Sequence, residues 1–197
     1  TSFLASILFE VIIHRRFQDV ISLNIFPMKV EEGGTAKRSP PWKSAHTCGD
    51  LSTVSDLHLI KIHPAGMIVY PKPGPETIEL DIYYVPESKT QVGFDSFIRV
   101  KNALYIFQVT LVLSHEIEPG ILTFFNQFQE KSLLPDIPWY FVFVLPHSSE
   151  ISCPQPKDHR LKEKLQAGMR LFSAVKDVEV LKSIMISAQH APGGMEA

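Results

Sequence analysis

Two stretches of this chain limit its fold more than any others. In "LYIFQVT" (104–110), Tyr105, Phe107 and Val109 alternate with Leu104, Ile106, Gln108 and Thr110, and both sets start apolar. "WYFVFVLP" (139–146) is apolar almost throughout. A β-strand sends successive side chains to opposite faces, so a strand apolar on both faces must be covered on both. Such strands belong at the centre of a sheet with layers packed on each side.

The rest of the chain supplies those layers. Apolar residues at 4, 7, 8, 11 and 12 recur with a helical period, so 3–17 reads as a helix that Ser2 can cap. Shorter β-rich runs at 19–28, 57–63, 66–70, 78–85 and 92–100 are separated by Pro-rich breaks. Lys101-Asn102 forms a tight hairpin connection into 102–113. A second helix starts near Pro119, a residue favoured in a first helical turn. A third is expected over 156–175, with Leu161, Leu165, Met169 and Phe172 on one stripe, followed by a closing strand at 178–187. The order predicts an α/β fold around a mixed sheet, in one domain covering 1–187. The polar, Gly- and Pro-rich segment 31–56 reads as a long loop or insertion, and 188–197 as a flexible tail.

Composition narrows the function classes. With 45% hydrophobic and 20% charged residues this is an ordinary globular chain. A net charge of −2 gives no global attraction to nucleic acid, so such binding requires a local basic face. The N-terminal apolar stretch is broken by Glu10 and His14, too early to span a bilayer, and a membrane partner is not expected. Cys48 and Cys153 form neither a disulfide framework nor a zinc knuckle. They fit a reducing, intracellular compartment, nuclear or cytoplasmic, as two free thiols, with a single bridge as the alternative. The sequence has no GxxxxGK[ST], GxSxG or GxGxxG.

Polar groups inside apolar strands are the informative exceptions. An amide buried without partners costs about 1–3 kcal/mol, so Gln108 needs a neighbour. Asp95, in the preceding strand between Phe94 and Phe97, is one candidate. An acid and an amide side by side on two antiparallel strands present oxygen ligands suited to Mg²⁺ or Mn²⁺. The first helix adds Glu10, with His14 one turn on. Each has a plainer explanation: Asp95 bonding backbone amides, Gln108 bonding a loop, Glu10 at a helix edge.

Helix with Glu10, a run of strands, a strand with Asp95, then a strand with Gln108-Val109-Thr110 resembles the PD-(D/E)XK nuclease superfamily. The strings "SILFEVIIH", "ESKTQVGFDSFI", "LYIFQVTLVLSHEI" and "YFVFVLP" are most similar to the nuclease-like domain of retrotransposon-hot-spot-type and Crinkler-type proteins, especially fungal ones. The similarity runs from about residue 3 to 146. It implies a restriction-endonuclease-like α-β-β-β-α-β core with a mixed sheet flanked by helices. It implies metal-dependent hydrolysis of DNA phosphodiester bonds, with Mg²⁺ or Mn²⁺ held by Asp95, Gln108, the Val109 carbonyl and Glu10. Gln108 stands where the family has a second acid, and Thr110 where it has a lysine. Lys101 and Lys89 are the lysines expected to reach in instead, and His115 is a candidate general base or phosphate contact. The alternative is a catalytically inactive nuclease-fold module, of effector or toxin type, that binds DNA or protein. A homodimer is compatible with either. The cations of 157–170 (Lys157, Arg160, Lys162, Lys164 and Arg170), diluted by Asp158 and Glu163, read as a solvated helix face rather than a phosphate track.

Overall fold

The computed structural model describes residues 2–30, 40–44, 58–88, 93–146 and 150–176. Their elements, in chain order, are α1 (Ser2–Asp19), β1 (Ile21–Pro27), β2 (Lys29–Val30), β3 (Trp42–Lys43), β4 (His58–Ile62), β5 (Gly66–Tyr70), β6 (Ile82–Pro86) and β7 (Ser96–Val100). There follow β8 (Ala103–Val109), α2 (Gly120–Glu130), β9 (Trp139–Leu145), β10 (Ser152–Cys153), α3 (His159–Ala167) and β11 (Arg170–Val175). The fold is mixed α/β, as the order of apolar runs implies.

One sheet has eight strands in the order β4-β1-β11-β9-β8-β7-β6-β5. β8 and β9 lie inside it, paired in parallel, and β11 continues parallel to β9. β7 runs antiparallel to both its neighbours, β6 and β8, and the edge strand β5 pairs in parallel with β6. The sheet curls, so that Ile60, Lys61 and Ile62 of the edge strand β4 line one cavity with Val100 and Tyr105 of the β7–β8 hairpin. A small second sheet has the order β10-β3-β2.

Both faces of β8 are covered, which explains its doubly apolar sequence. On one face Leu104 and Ile106 pack with Phe97, Phe125, Trp139 and Phe141 in a core closed by α2 and the small sheet. On the other, Phe107 and Val109 pack with Val142 and Val144 under Phe9, Ile13 and Phe17 of α1. These three α1 residues are spaced a helical turn apart and are fully buried. Burying a side chain of this size contributes about 1.5–3 kcal/mol each, which anchors α1 across the sheet.

The structure corrects the expected third helix. Asp158 caps α3, its side chain accepting the Leu161 N–H at 3.1 Å, but the helix stops at Gly168, whose φ is +137°. Arg170–Val175 is a strand, not the last turns of a helix. Leu171, Phe172 and Ala174 are buried within the sheet between β1 and β9. A run apolar at nearly every position satisfies a helical stripe and a buried strand equally, and the glycine stop decides between them. The expected strand at 178–187 and the tail lie outside the described residues. Within 31–56, Trp42–Lys43 forms β3, and most of the remainder lies outside the described residues. Cys153 is a buried free thiol, and Cys48 lies outside them too. No helix of the described residues is long and apolar enough to cross a membrane.

Candidate functional site

The parallel strands β8, β9 and β11 end on the same side of the sheet, and the carboxyl ends of such strands are where α/β folds bind ligands. The β7–β8 hairpin brings Asp95 to this end. Ser96 is opposite Phe107, so Asp95, one residue earlier, reaches the level of Gln108. Its own N–H donates to the Phe107 carbonyl at 2.9 Å.

The Asp95 carboxylate is bound tightly by the hairpin itself. Oδ2 accepts the Gln108 side-chain amide, Nε2, at 2.6 Å, and the Val109 backbone N–H at 2.6 Å. Val109 lies past the last β7 partner in the ladder, so the carboxylate takes over where backbone pairing ends. Gln108, 9% exposed, thereby gains the partner its burial demands. Charge-assisted hydrogen bonds of this kind are among the stronger ones in proteins.

Thr110 is buried in the next position on the same strand face. Its hydroxyl accepts the Val112 N–H at 3.0 Å, and its own N–H donates to Val144. The position the resembled family gives to a lysine therefore shapes the turn leaving β8. His115 lies on the Gln108 side of the sheet. Its ring is 5.9 Å from that of Phe143, the β9 partner of Gln108, and its Nδ1–H donates to the Glu116 carbonyl at 2.8 Å. Gly93, at φ +96°, holds the chain entering Asp95 close against Glu118, so that a Cβ there would sit 2.9 Å from that of Glu118.

Lys101 is not brought to this end. It occupies the hairpin turn, beyond the Val100–Ala103 pair, about 20 Å along β8 from Gln108 at about 3.3 Å per residue. An antiparallel hairpin that aligns Asp95 with Gln108 necessarily puts its turn at the opposite end. Lys89 lies outside the described residues.

Glu10 stands on α1, one helical turn before His14. Its Oε1 is 3.6 Å from Nε2 of His14. His14 Nδ1 bonds the Tyr83 hydroxyl at 2.7 Å, and Tyr83 donates to the Ser96 hydroxyl at 2.8 Å. Tyr83 and Ser96 are fully buried. Burial pushes the Tyr83 hydroxyl far above its ordinary pKa, and the charges of Asp95 and Glu10 add to the shift. Both carboxylates thus act on this one hydroxyl. Tyr83 and Ser96 carry no sequence signal of their own, because long-range packing alone brings them to His14.

Asp95 Oδ2 accepts from two N–H donors, Gln108 adds no charge, and Glu10 Oε1 lies 3.6 Å from His14 Nε2. Among the described residues no group of three or more His, Cys, Asp or Glu side chains is gathered for a metal.

Two of the α3 cations are engaged locally. Arg160 pairs with Asp158 at 3.2 Å, and Lys164 lies 3.8 Å from the centre of the Trp139 ring. The acid Glu163 lies 3.5 Å from His159. Comparison with family models, with curated proteins and with solved structures finds no match to this chain.

Proposed function

We propose that α1-β6-β7-β8-α2-β9 is a restriction-endonuclease-like α-β-β-β-α-β core, and that the chain is a nuclease-fold module that binds nucleic acid without metal-dependent hydrolysis. The antiparallel run β6–β7–β8 followed by the parallel β9, with α1 on one face and α2 on the other, supports the core. The observation that carries the loss of hydrolysis is the state of Asp95. Its Oδ2 is held by Gln108 and the Val109 N–H, both at 2.6 Å, so the carboxylate serves the end of the hairpin. Thr110 supports the same reading, because it brings no positive charge to the place where hydrolysis would need one beside the phosphate.

The test is incubation with plasmid DNA in Mg²⁺, Mn²⁺ or EDTA, alongside a binding assay with the same DNA. The expected outcome is retained DNA that is bound and uncut in all three. Metal-dependent nicking that Asp95→Asn abolishes would establish the hydrolytic reading instead. His115, on the Gln108 side of the sheet, would then be the residue to test as base.

A further inference from the structure

A sheet edge presents unpaired backbone N–H and C=O groups, and natural proteins blunt such edges with charged side chains, proline or bulges. The main sheet ends in β4 on one side and β5 on the other. β4 carries Lys61 near its centre, and its Ile60, Lys61 and Ile62 line the cavity shared with the β7–β8 hairpin. β5, Gly66-Met67-Ile68-Val69-Tyr70, carries no charge and no proline. Among the described residues its one strand partner is β6. Met67, Ile68 and Val69 are consecutive apolar residues left 37%, 38% and 53% exposed.

The open groups on β5 follow from its pairing. The Tyr70 carbonyl accepts the Glu87 N–H at 2.9 Å across the β5–β6 pair. Backbone groups alternate in direction along a strand, so Met67 and Val69 turn their N–H and C=O groups away from β6. Side chains alternate too, which puts Ile68 on the same face as Tyr70, whose ring packs on Phe124 of α2. On that face β5, the 71–79 segment and the end of α2 border a groove of about 640 Å³. Its apolar lining includes Ile68, Pro71, Pro73, Pro75, Tyr84 and Phe128. Its charged residues balance, Lys72 and Lys131 against Glu76 and Glu79.

We propose that β5 and this groove take up an extended peptide segment of another protein, uncharged and apolar over about five residues, as an added edge strand. Hydrogen bonds from the peptide backbone satisfy the Met67 and Val69 groups, and every second peptide side chain falls over the groove. The balanced charges give no preference for an acidic or a basic peptide. The proline and aromatic lining takes bulky apolar side chains. A second copy paired through β5 is the poorer occupant. A stable dimer buries about 800 Å² on each partner, more than the exposed parts of three residues provide, whereas strand addition draws on backbone hydrogen bonds. The site is independent of the nucleic-acid reading, since β6 and β7 separate β5 from the β8 strand that carries Gln108.

The probe is a phage-displayed library of random linear nonapeptides panned against the full chain. Enriched peptides are synthesised with a fluorophore and their affinity is measured by anisotropy. The expected peptides share an apolar, uncharged run of about five residues, the length of β5. Val69→Pro removes one outward N–H, which an edge strand tolerates, and weakens binding by about 3–10-fold. Val69→Lys blunts the edge with a charge, weakens binding likewise, and serves if the proline variant folds poorly. Leu59→Lys alters the opposite edge and leaves the affinity unchanged. No enriched peptide, a charged consensus, or an undiminished affinity in the Val69 variants overturns the proposal. So does a dimer in sedimentation equilibrium that Val69→Pro dissociates, which gives the edge to a second copy.

Discussion

Replacing Asp95 separates a structural carboxylate from one kept for chemistry. In Asp95→Ala, Gln108 Nε2 and the Val109 N–H lose a charged acceptor at 2.6 Å each. Hydrogen bonds to charged groups contribute about 1.5–3 kcal/mol apiece. Asp95 is only partly buried, so the lower end applies, and the expected loss is about 3 kcal/mol. For a domain of this size that lowers Tm by about 6–12 °C. Asp95→Asn, with its side-chain oxygen where Oδ2 stands, keeps one neutral acceptor for both the Gln108 amide and the Val109 N–H, so its loss is nearer ~1 kcal/mol. Equilibrium urea unfolding in EDTA, followed by the fluorescence of Trp42 and Trp139, measures both. A carboxylate held ready for a metal would be relieved by neutralisation, since desolvated charge is a cost to the empty fold. If Asp95→Ala proves as stable as the unmutated protein, the hairpin-clamp explanation of this residue is wrong.

Four further expectations follow from the same packing. Tyr83→Phe removes the hydroxyl joining His14 to Ser96 and should cost about 1–2 kcal/mol in urea unfolding, while Ser96→Ala added to it should cost little more. Gly93→Ala should destabilise more than Gly168→Ala: both need positive φ, but only at Gly93 would the new methyl meet Glu118, whereas nothing lies within 4 Å at Gly168. Thermal melts of the two variants decide the order, and strain alone accounts for about 1–3 kcal/mol. Burial pushes the Cys153 thiol from 9.0 to about 12, so the native state holds a proton that the unfolded state releases. The stability it contributes is complete below pH 9 and declines as pH rises toward 12, which urea midpoints over that window will record. In a Cys48→Ser background, Cys153 should resist alkylation at pH 8 until urea is added.

Much of the fold is written locally. The doubly apolar runs at β8 and β9 require cover on both faces, and α1 and α2 declare themselves by period and by Pro119, because each such signal depends only on neighbours in sequence. The contact between Asp95 and Gln108 is equally legible, since one hairpin register fixes both. So is the remoteness of Lys101, which the same register puts at the turn. Pairing across the chain decided the rest. Arg170–Val175 satisfies two periods, and its place between β1 and β9 made it a strand. His14, Tyr83 and Ser96, from three separate elements, join in one hydrogen-bonded chain that begins one helical turn from Glu10. Sequence determines which segments must be buried, because burial follows from local patterning. Tertiary structure decides which polar groups meet, because their separation in space bears no relation to their separation along the chain.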